Sequence, residues 1–433
     1  MSSIRILVGD ARERLRDLPD RSVHCVVTSP PYWGLRDYGV DGQLGLEPTP
    51  AAYVATLIAV FREIRRVLRD DGTVWLVLGD CFATGAGKVG AHPGGGAQGA
   101  RWTGHRGSRG GSRLHVVAAV GPTTQPNRLP QMGLKPKDLV GMPWTVAFAL
   151  RSDGWWLRSD VVWAKKNPMP ESVRDRPTRA HEFIFLLAKS ERYFFDQEGV
   201  REPFAAATLR RIAQATFDLQ TGGAKDGLNP NRSARRALVN LKGRALPEQI
   251  EDRPHKAKGR NIRSVWTVAT KPFSGAHFAT FPPALVEPCI KAGTSARGAC
   301  PHCGAPWMRV IDRKRKRSFQ KVGQKHDGTY YRPNPGGGVA DDAREPRELG
   351  WAPACSCPPA EPVSCTVLDP FGGAGTTAAV AARLGRDAIL VELNPAYAAL
   401  SLERIAGEAP DTAVSIEPSP QVDGRRGAKR ASA

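Results

Sequence analysis

Late in the chain, VLDPFGGAGTTAAVAARLGRDAILVEL runs from an apolar stretch through a glycine-rich turn into an Ala-rich helical segment and a second apolar stretch ending in an acid. Strand, helix and strand in that succession form a βαβ unit, which commits the chain to an α/β fold with a parallel sheet. Gly372, Gly373 and Gly375 let the backbone approach a ligand closely, and the start of the following helix offers unpaired amides. No Lys follows the last glycine, so the spacing departs from the phosphate-binding P-loop. Glu392 ends the second strand, where nucleotide-binding βαβ units place the acid that holds ribose hydroxyls. Without that context the segment is simply a tight strand-to-helix turn with a solvent-facing Glu392.

The same rhythm opens the chain. IRILVGD reads as a strand, Ala11 to Leu18 as an Arg-rich helix, and SVHCVVTSP as a second strand. Asp10 and Glu13 have capping-box spacing. Leu57, Val60, Phe61, Ile64 and Leu68 recur at helical spacing and predict a long helix from about Ala51 to Leu68, followed by GTVWLVLGD as a fully buried strand. WWLRSDVVWAK and EFIFLLAKS suggest a further strand pair. With SCTVLDPF and DAILVEL the expected sheet has seven strands. TSPPYW follows its strand directly, so Ser29, Pro30, Pro31 and Tyr32 emerge at a carboxyl end, where open α/β sheets bind ligands. Its two prolines stiffen the turn; taken alone, it is a rigid strand end.

A chain of 433 residues exceeds one ordinary domain, so a core with sizeable insertions is expected. The core is expected in four pieces, 1–82, 134–196, 264–293 and 363–407. A Gly-rich insertion covers 83–133 and a polar, basic region 197–263. A Cys-containing insertion with the run Arg313 to Arg317 covers 294–362, and a disordered tail 408–433. The net charge of +20 points to a polyanionic partner. No apolar run reaches the length of a membrane span, the longest candidate being Leu139 to Leu150, and no signal-peptide pattern opens the chain. A cytoplasmic protein is expected. Of eight Cys, Cys25, Cys81 and Cys289 read as packing thiols. Cys300-Pro-His-Cys303-Gly is a knuckle of the kind that wraps zinc, and Cys355-Ser-Cys357 is the second pair available to it, with His302 as a substitute ligand. Unpaired thiols are the alternative.

DPFGGAGTT closely resembles the S-adenosylmethionine-binding motif of amino-directed DNA methyltransferases, and SPPY matches that family's catalytic signature. The catalytic motif precedes the cofactor motif, which resembles the β class of the family. This resemblance implies a Rossmann-like S-adenosylmethionine-dependent methyltransferase fold with a mostly parallel seven-stranded sheet and inserted basic and Cys-containing segments. It implies cofactor contacts by Asp10, Asp369, Phe371, Gly372, Gly373, Gly375, Thr376 and Glu392. HFATFPPALVEPCIKAGTS resembles the block completing the methionine pocket, so His277, Phe278, Thr280 and Pro282 join them. Double-stranded DNA is the implied partner. Target recognition is expected between Gln197 and Arg263, where Arg210, Arg211, Arg232, Arg235, Arg236 and Lys242 accumulate.

An exocyclic base amine is a poor nucleophile, because its lone pair is delocalised into the ring. Acceptors aimed at its protons favour the pyramidal nitrogen and stabilise the developing positive charge. Ser29 Oγ and the Pro30 carbonyl are expected to be those acceptors, and Tyr32 to stack on a flipped base. Ser-Pro-Pro-Tyr resembles the cytosine-N4 enzymes, whereas Asp-Pro-Pro-Tyr is commoner among adenine-N6 enzymes, so the resemblance implies cytosine-N4 methylation with adenine-N6 as the alternative. A catalytically inactive DNA-binding protein and a protein-amide methyltransferase are the rival readings.

Overall fold

The computed structural model describes residues 2–36, 38–83, 133–206, 210, 259–270, 280–312, 323–324, 330–331 and 347–419. Two compact units are present, one of Met1–Gly199, Arg263–Trp307 and Cys355–Ala433, the other of Val200–Ile262 and Met308–Ala354. In chain order the elements are β1 (Ser3–Val8), α1 (Ala11–Arg14), β2 (Val23–Thr28), α2 (Pro50–Val67), β3 (Leu68–Leu78) and α3 (Met142–Ser152). Next come β4 (Trp156–Lys165), β5 (His181–Ala188), β6 (Val265–Val268), α4 (Pro283–Gly293), β7 (Trp307–Asp312), β8 (Gly323–Gln324), β9 (Tyr330–Tyr331) and β10 (Arg347–Pro353). The chain closes with β11 (Thr366–Asp369), α5 (Thr376–Arg383), β12 (Asp387–Glu392), α6 (Pro395–Glu408) and β13 (Ala413–Glu417).

The first unit is built on a sheet ordered β13-β1-β12-β11-β2-β3-β5-β4-β6. From β13 to β3 all neighbours are parallel. β5 runs antiparallel to both β3 and β4, and β6 is parallel to β4. The sheet therefore has nine strands among the described residues, against the seven expected. Of the two additional strands, β6 has four residues with one buried. β13 has no buried residue and lies within the segment expected to be a disordered tail. What holds β13 is main-chain pairing to β1, reinforced by an Arg5–Glu417 ion pair at 2.8 Å.

β2 is buried at every position, with its polar His24 and Thr28 each hydrogen-bonded within the core. α2 starts where Thr49 accepts a hydrogen bond from the Ala52 amide and Pro50 occupies the first turn. It sinks Tyr53, Leu57, Val60, Phe61 and Ile64 completely into one core with β2, β3 and α3. Each such side chain contributes roughly 1.5 to 3 kcal/mol by leaving water. α1 is shorter than the sequence suggests, giving way to a 3-10 turn at Leu15–Asp17. Asp10 caps it through the Arg12 amide at 2.8 Å rather than through Glu13.

In the second unit, β7 pairs with β10 and β8 with β9. Arg309 joins β7 to β10 through Glu348 at 2.7 Å and lies over the Trp351 ring. The expected Gly-rich insertion, most of the basic region, the run Arg313 to Arg317 and the last 14 residues lie outside the described residues.

Candidate active site

The carboxyl ends of β1, β2, β11 and β12 lie side by side, because these strands are parallel and adjacent. The amino end of β5 reaches the same rim, since β5 is antiparallel and Phe183 pairs with Leu78 at the end of β3. A cavity of about 920 Å³ opens there. Its lining contains Asp10, Ser29, Pro30, Pro31, Tyr32, Thr280, Asp369, Phe371, Gly372, Gly373, Thr376 and Glu392, so segments far apart in sequence converge on one site. Pro282 does not line it; this residue is buried and caps α4. Gly375 also lies behind the lining, as the N-cap of α5. His277 and Phe278 lie outside the described residues.

The glycine turn is set by close approach. Gly375 sits at φ 73°, and a Cβ there would lie 2.7 Å from Ser401 Cβ, so α6 packs directly on the turn. Asp369 is almost wholly buried and is held from three sides. Thr28 Oγ1 and Thr377 Oγ1 each donate to it at 2.7 Å, and the Phe371 amide at 3.1 Å. Burial pushes its carboxyl up to about 6, against the pull of those donors. The Thr28 bond ties β2 to β11 across 341 positions of sequence, fixing the catalytic-turn strand to the glycine-turn strand.

Glu392 takes the Gly373 amide on Oε2 at 2.7 Å and the Asn394 amide on Oε1 at 2.8 Å. A carboxylate oxygen can accept more than one hydrogen bond, so each still has capacity toward the cavity. Burial raises this carboxyl to about 7, the two amides oppose the rise, and nearby Asp369 adds to it. The side chain of Asp10 also faces the cavity, but its oxygens are engaged by the Arg12 amide and guanidinium.

At the turn after β2, Tyr53 donates to the Pro31 carbonyl at 2.8 Å and the Leu35 amide to the Tyr32 carbonyl at 3.3 Å. Ser29 Oγ donates to the Tyr32 hydroxyl at 3.3 Å, and that hydroxyl donates to Glu182 Oε2 at 2.8 Å. Burial and the neighbouring Glu182 carboxylate hold the Tyr32 phenol well above its usual range, so it remains a neutral donor. The Cδ2–Cε2 side of the Tyr32 ring occupies the space a side chain on Gly79 would take, with Cε2 2.6 Å from such a Cβ. Glu182 is itself paired with Lys165, whose ammonium lies over the Trp163 ring at 4.8 Å.

Several of these groups carry no local signal. Glu182 and Lys165 read as strand ends, and only the antiparallel placement of β5 and β4 brings them to the rim. Thr28 and Thr377 are legible only once β2 and β11 are known to be neighbours. Gly79 was detectable in principle, as a glycine ending a buried strand.

The DNA methylase family model N6_N4_Mtase matches residues 23–300 and 358–403. Over 402 residues the chain is 36% identical to the Type II methyltransferase M.XycI of Xanthomonas campestris pv. cyanopsidis, covering 92% of this chain and 87% of that protein. It is 35% identical over 408 residues to the Type II methyltransferase M.Cfr9I of Citrobacter freundii, covering 94% and 89%. Among solved structures, the cytosine-N4-specific PvuII DNA methyltransferase aligns with a TM-score of 0.45 at 14% identity, covering 95% of this chain and 92% of that one.

Proposed function

The chain belongs to the N6_N4_Mtase family of amino-directed DNA methylases and uses S-adenosylmethionine; from that premise we propose that it methylates the N4 amine of cytosine, with Ser29 to Tyr32 as the catalytic turn. The observation carrying this reading is the convergence of Ser29 and the glycine turn on one cavity, with a neutral Ser rather than an acid heading the turn.

When bound, S-adenosylmethionine supplies an electrophilic methyl group. The residues present suit it. Gly372 and Gly373 leave the cavity wall without side chains, and Glu392 retains acceptor capacity for hydroxyl groups. Asp369, also in the lining, is assigned to shaping the turn, because its oxygens accept from Thr28, Thr377 and the Phe371 amide. Phe371, Thr376 and Thr280 complete the lining on this side.

Ser29 Oγ and the Pro30 carbonyl accept the protons of the target amine and favour its pyramidal, nucleophilic form. Among the described residues nothing donates to the Pro30 carbonyl, whereas the next two carbonyls are taken. Rigid neighbours on both sides keep that acceptor aimed, which lowers the reorganisation needed in the transition state. Tyr32, wedged on Gly79 and anchored to Glu182, presents a fixed ring against which an extruded base stacks. Cytoplasmic action on duplex DNA follows from this reading, with target recognition assigned to 197–263; of the six basic residues named there, Arg210 is among the described residues. Among the described residues no helix is long and apolar enough to cross a membrane.

Transfer of labelled methyl groups to DNA tests the assignment. Ser29→Ala is expected to lower turnover by roughly 100- to 1,000-fold, with S-adenosylmethionine binding nearly unchanged. Equal losses in turnover and binding would remove Ser29 from the chemistry.

A further inference from the structure

Outside the cavity, one cluster of side chains has no part in methyl transfer. The sulfurs of Cys300, Cys303, Cys355 and Cys357 all lie within 4.8 Å of one another. We propose that these four thiolates bind one zinc ion, which fastens the 300–303 knuckle to the 355–357 segment and braces the amino end of β2.

Zinc bound by four thiolates has Zn–S bonds of about 2.3 Å, which puts neighbouring sulfurs roughly 3.8 Å apart at the corners of a tetrahedron. The observed spread needs only a small contraction to reach that arrangement. The knuckle turn is closed by Gly304, at φ 70°, whose amide donates to the Cys300 carbonyl at 2.8 Å. Ala299, just before the knuckle, bridges to both Pro306 and Val363, so the two Cys pairs are brought together by main-chain pairing as well. Four thiolates this close would repel strongly without a cation among them. Thiolate ligands in a tetrahedral set select zinc over harder metals.

The knuckle is also wired into the sheet. His24 Nδ1 accepts from the Thr366 amide at 3.0 Å, so the hydrogen of the buried neutral ring is on Nε2, which donates to the Gly304 carbonyl at 2.9 Å. Arg69 Nη1 donates to the Cys303 carbonyl at 2.7 Å. His24 lies in β2, whose opposite end carries Ser29 to Tyr32, and Thr366 begins β11, which carries the glycine turn. A metal-fixed knuckle therefore steadies the far ends of both strands that build the candidate active site. His302 is exposed and stands outside the four-sulfur set.

The proposal is independent of which base is methylated. Full-length protein purified from zinc-supplemented cells is expected to hold about one zinc per chain by elemental analysis. Exchange with cobalt(II) should give intense sulfur-to-metal charge-transfer absorption together with the visible bands of a tetrahedral four-thiolate site. Paired replacements Cys300→Ser with Cys303→Ser, and Cys355→Ser with Cys357→Ser, should each abolish the metal, whereas His302→Ala should retain it. Wild-type protein free of zinc and showing no cobalt charge-transfer band would overturn the proposal, whether or not the Ser variants fold. So would iron in place of zinc, or zinc retained after either pair is replaced.

Discussion

Glu392 offers a test in which acidity itself is the perturbation. Its carboxyl is pushed up to about 7 by burial, and the same group is proposed to accept hydroxyls of the cofactor ribose, which requires the ionised form. For the free protein, a raised folded-state value means that the protonated acid favours folding at low pH. That contribution is complete below the ordinary value of 4.5 and is lost as pH rises through about 7. Binding runs the other way, because a ligand that prefers the carboxylate draws the proton off. With a midpoint near 7, the ionised fraction changes by about tenfold between pH 8 and pH 6, so affinity should weaken about tenfold over that interval. Glu392→Gln removes the titration and turns an NH2 toward one of the Gly373 and Asn394 amides that Glu392 now satisfies, a cost to the fold rather than to binding. Loss of the charged acceptor toward the ribose hydroxyls, at about 1.5 to 3 kcal/mol, should weaken binding roughly 10- to 150-fold at pH 8. Calorimetric titration of S-adenosylmethionine into both proteins across this range supplies the comparison, and the ratio at each pH cancels titration of the ligand's own groups. The wild-type advantage should shrink about tenfold from pH 8 to pH 6. A constant ratio would refute the assignment of Glu392 to the cofactor.

Gly375→Ala should destabilise the fold by about 3 kcal/mol, combining a left-handed backbone with overpacking against Ser401, as read from urea unfolding. Tyr32→Phe loses the bond to Glu182 but keeps the ring, whereas Tyr32→Ala loses the stacking face. Methylation should therefore fall less than tenfold in the first and roughly 10- to 150-fold in the second, measured as kcat/KM for DNA.

Elements with strong local patterns were legible in advance. β2 and the strand from Thr366 to Asp369 are short, largely apolar stretches that end in stiff or glycine-rich turns, and both turns do meet in one cavity. β13 was hidden because an edge strand with no buried residue leaves no apolar periodicity; its stability comes from main-chain pairing and Glu417 ion pairs. Glu182 carries no functional signal in sequence, because its role depends on β5 running antiparallel, which brings an amino end to a rim of carboxyl ends. The capping-box spacing of Asp10 and Glu13 is not realised, since the Arg12 amide and guanidinium occupy the Asp10 carboxylate one position earlier. Long-range pairings, such as Thr28 with Asp369, belong to topology and carry no trace in local sequence.

The central claim is that the Ser29 turn delivers a methyl group to cytosine N4. Nucleoside mass spectrometry of DNA incubated with the purified protein and isotopically labelled S-adenosylmethionine addresses it directly. The label is expected in N4-methyldeoxycytidine, and its rate of appearance is expected to fall roughly 100- to 1,000-fold with Ser29→Ala. Label in N6-methyldeoxyadenosine would contradict the cytosine assignment, and label in protein with none in DNA would contradict the substrate class itself.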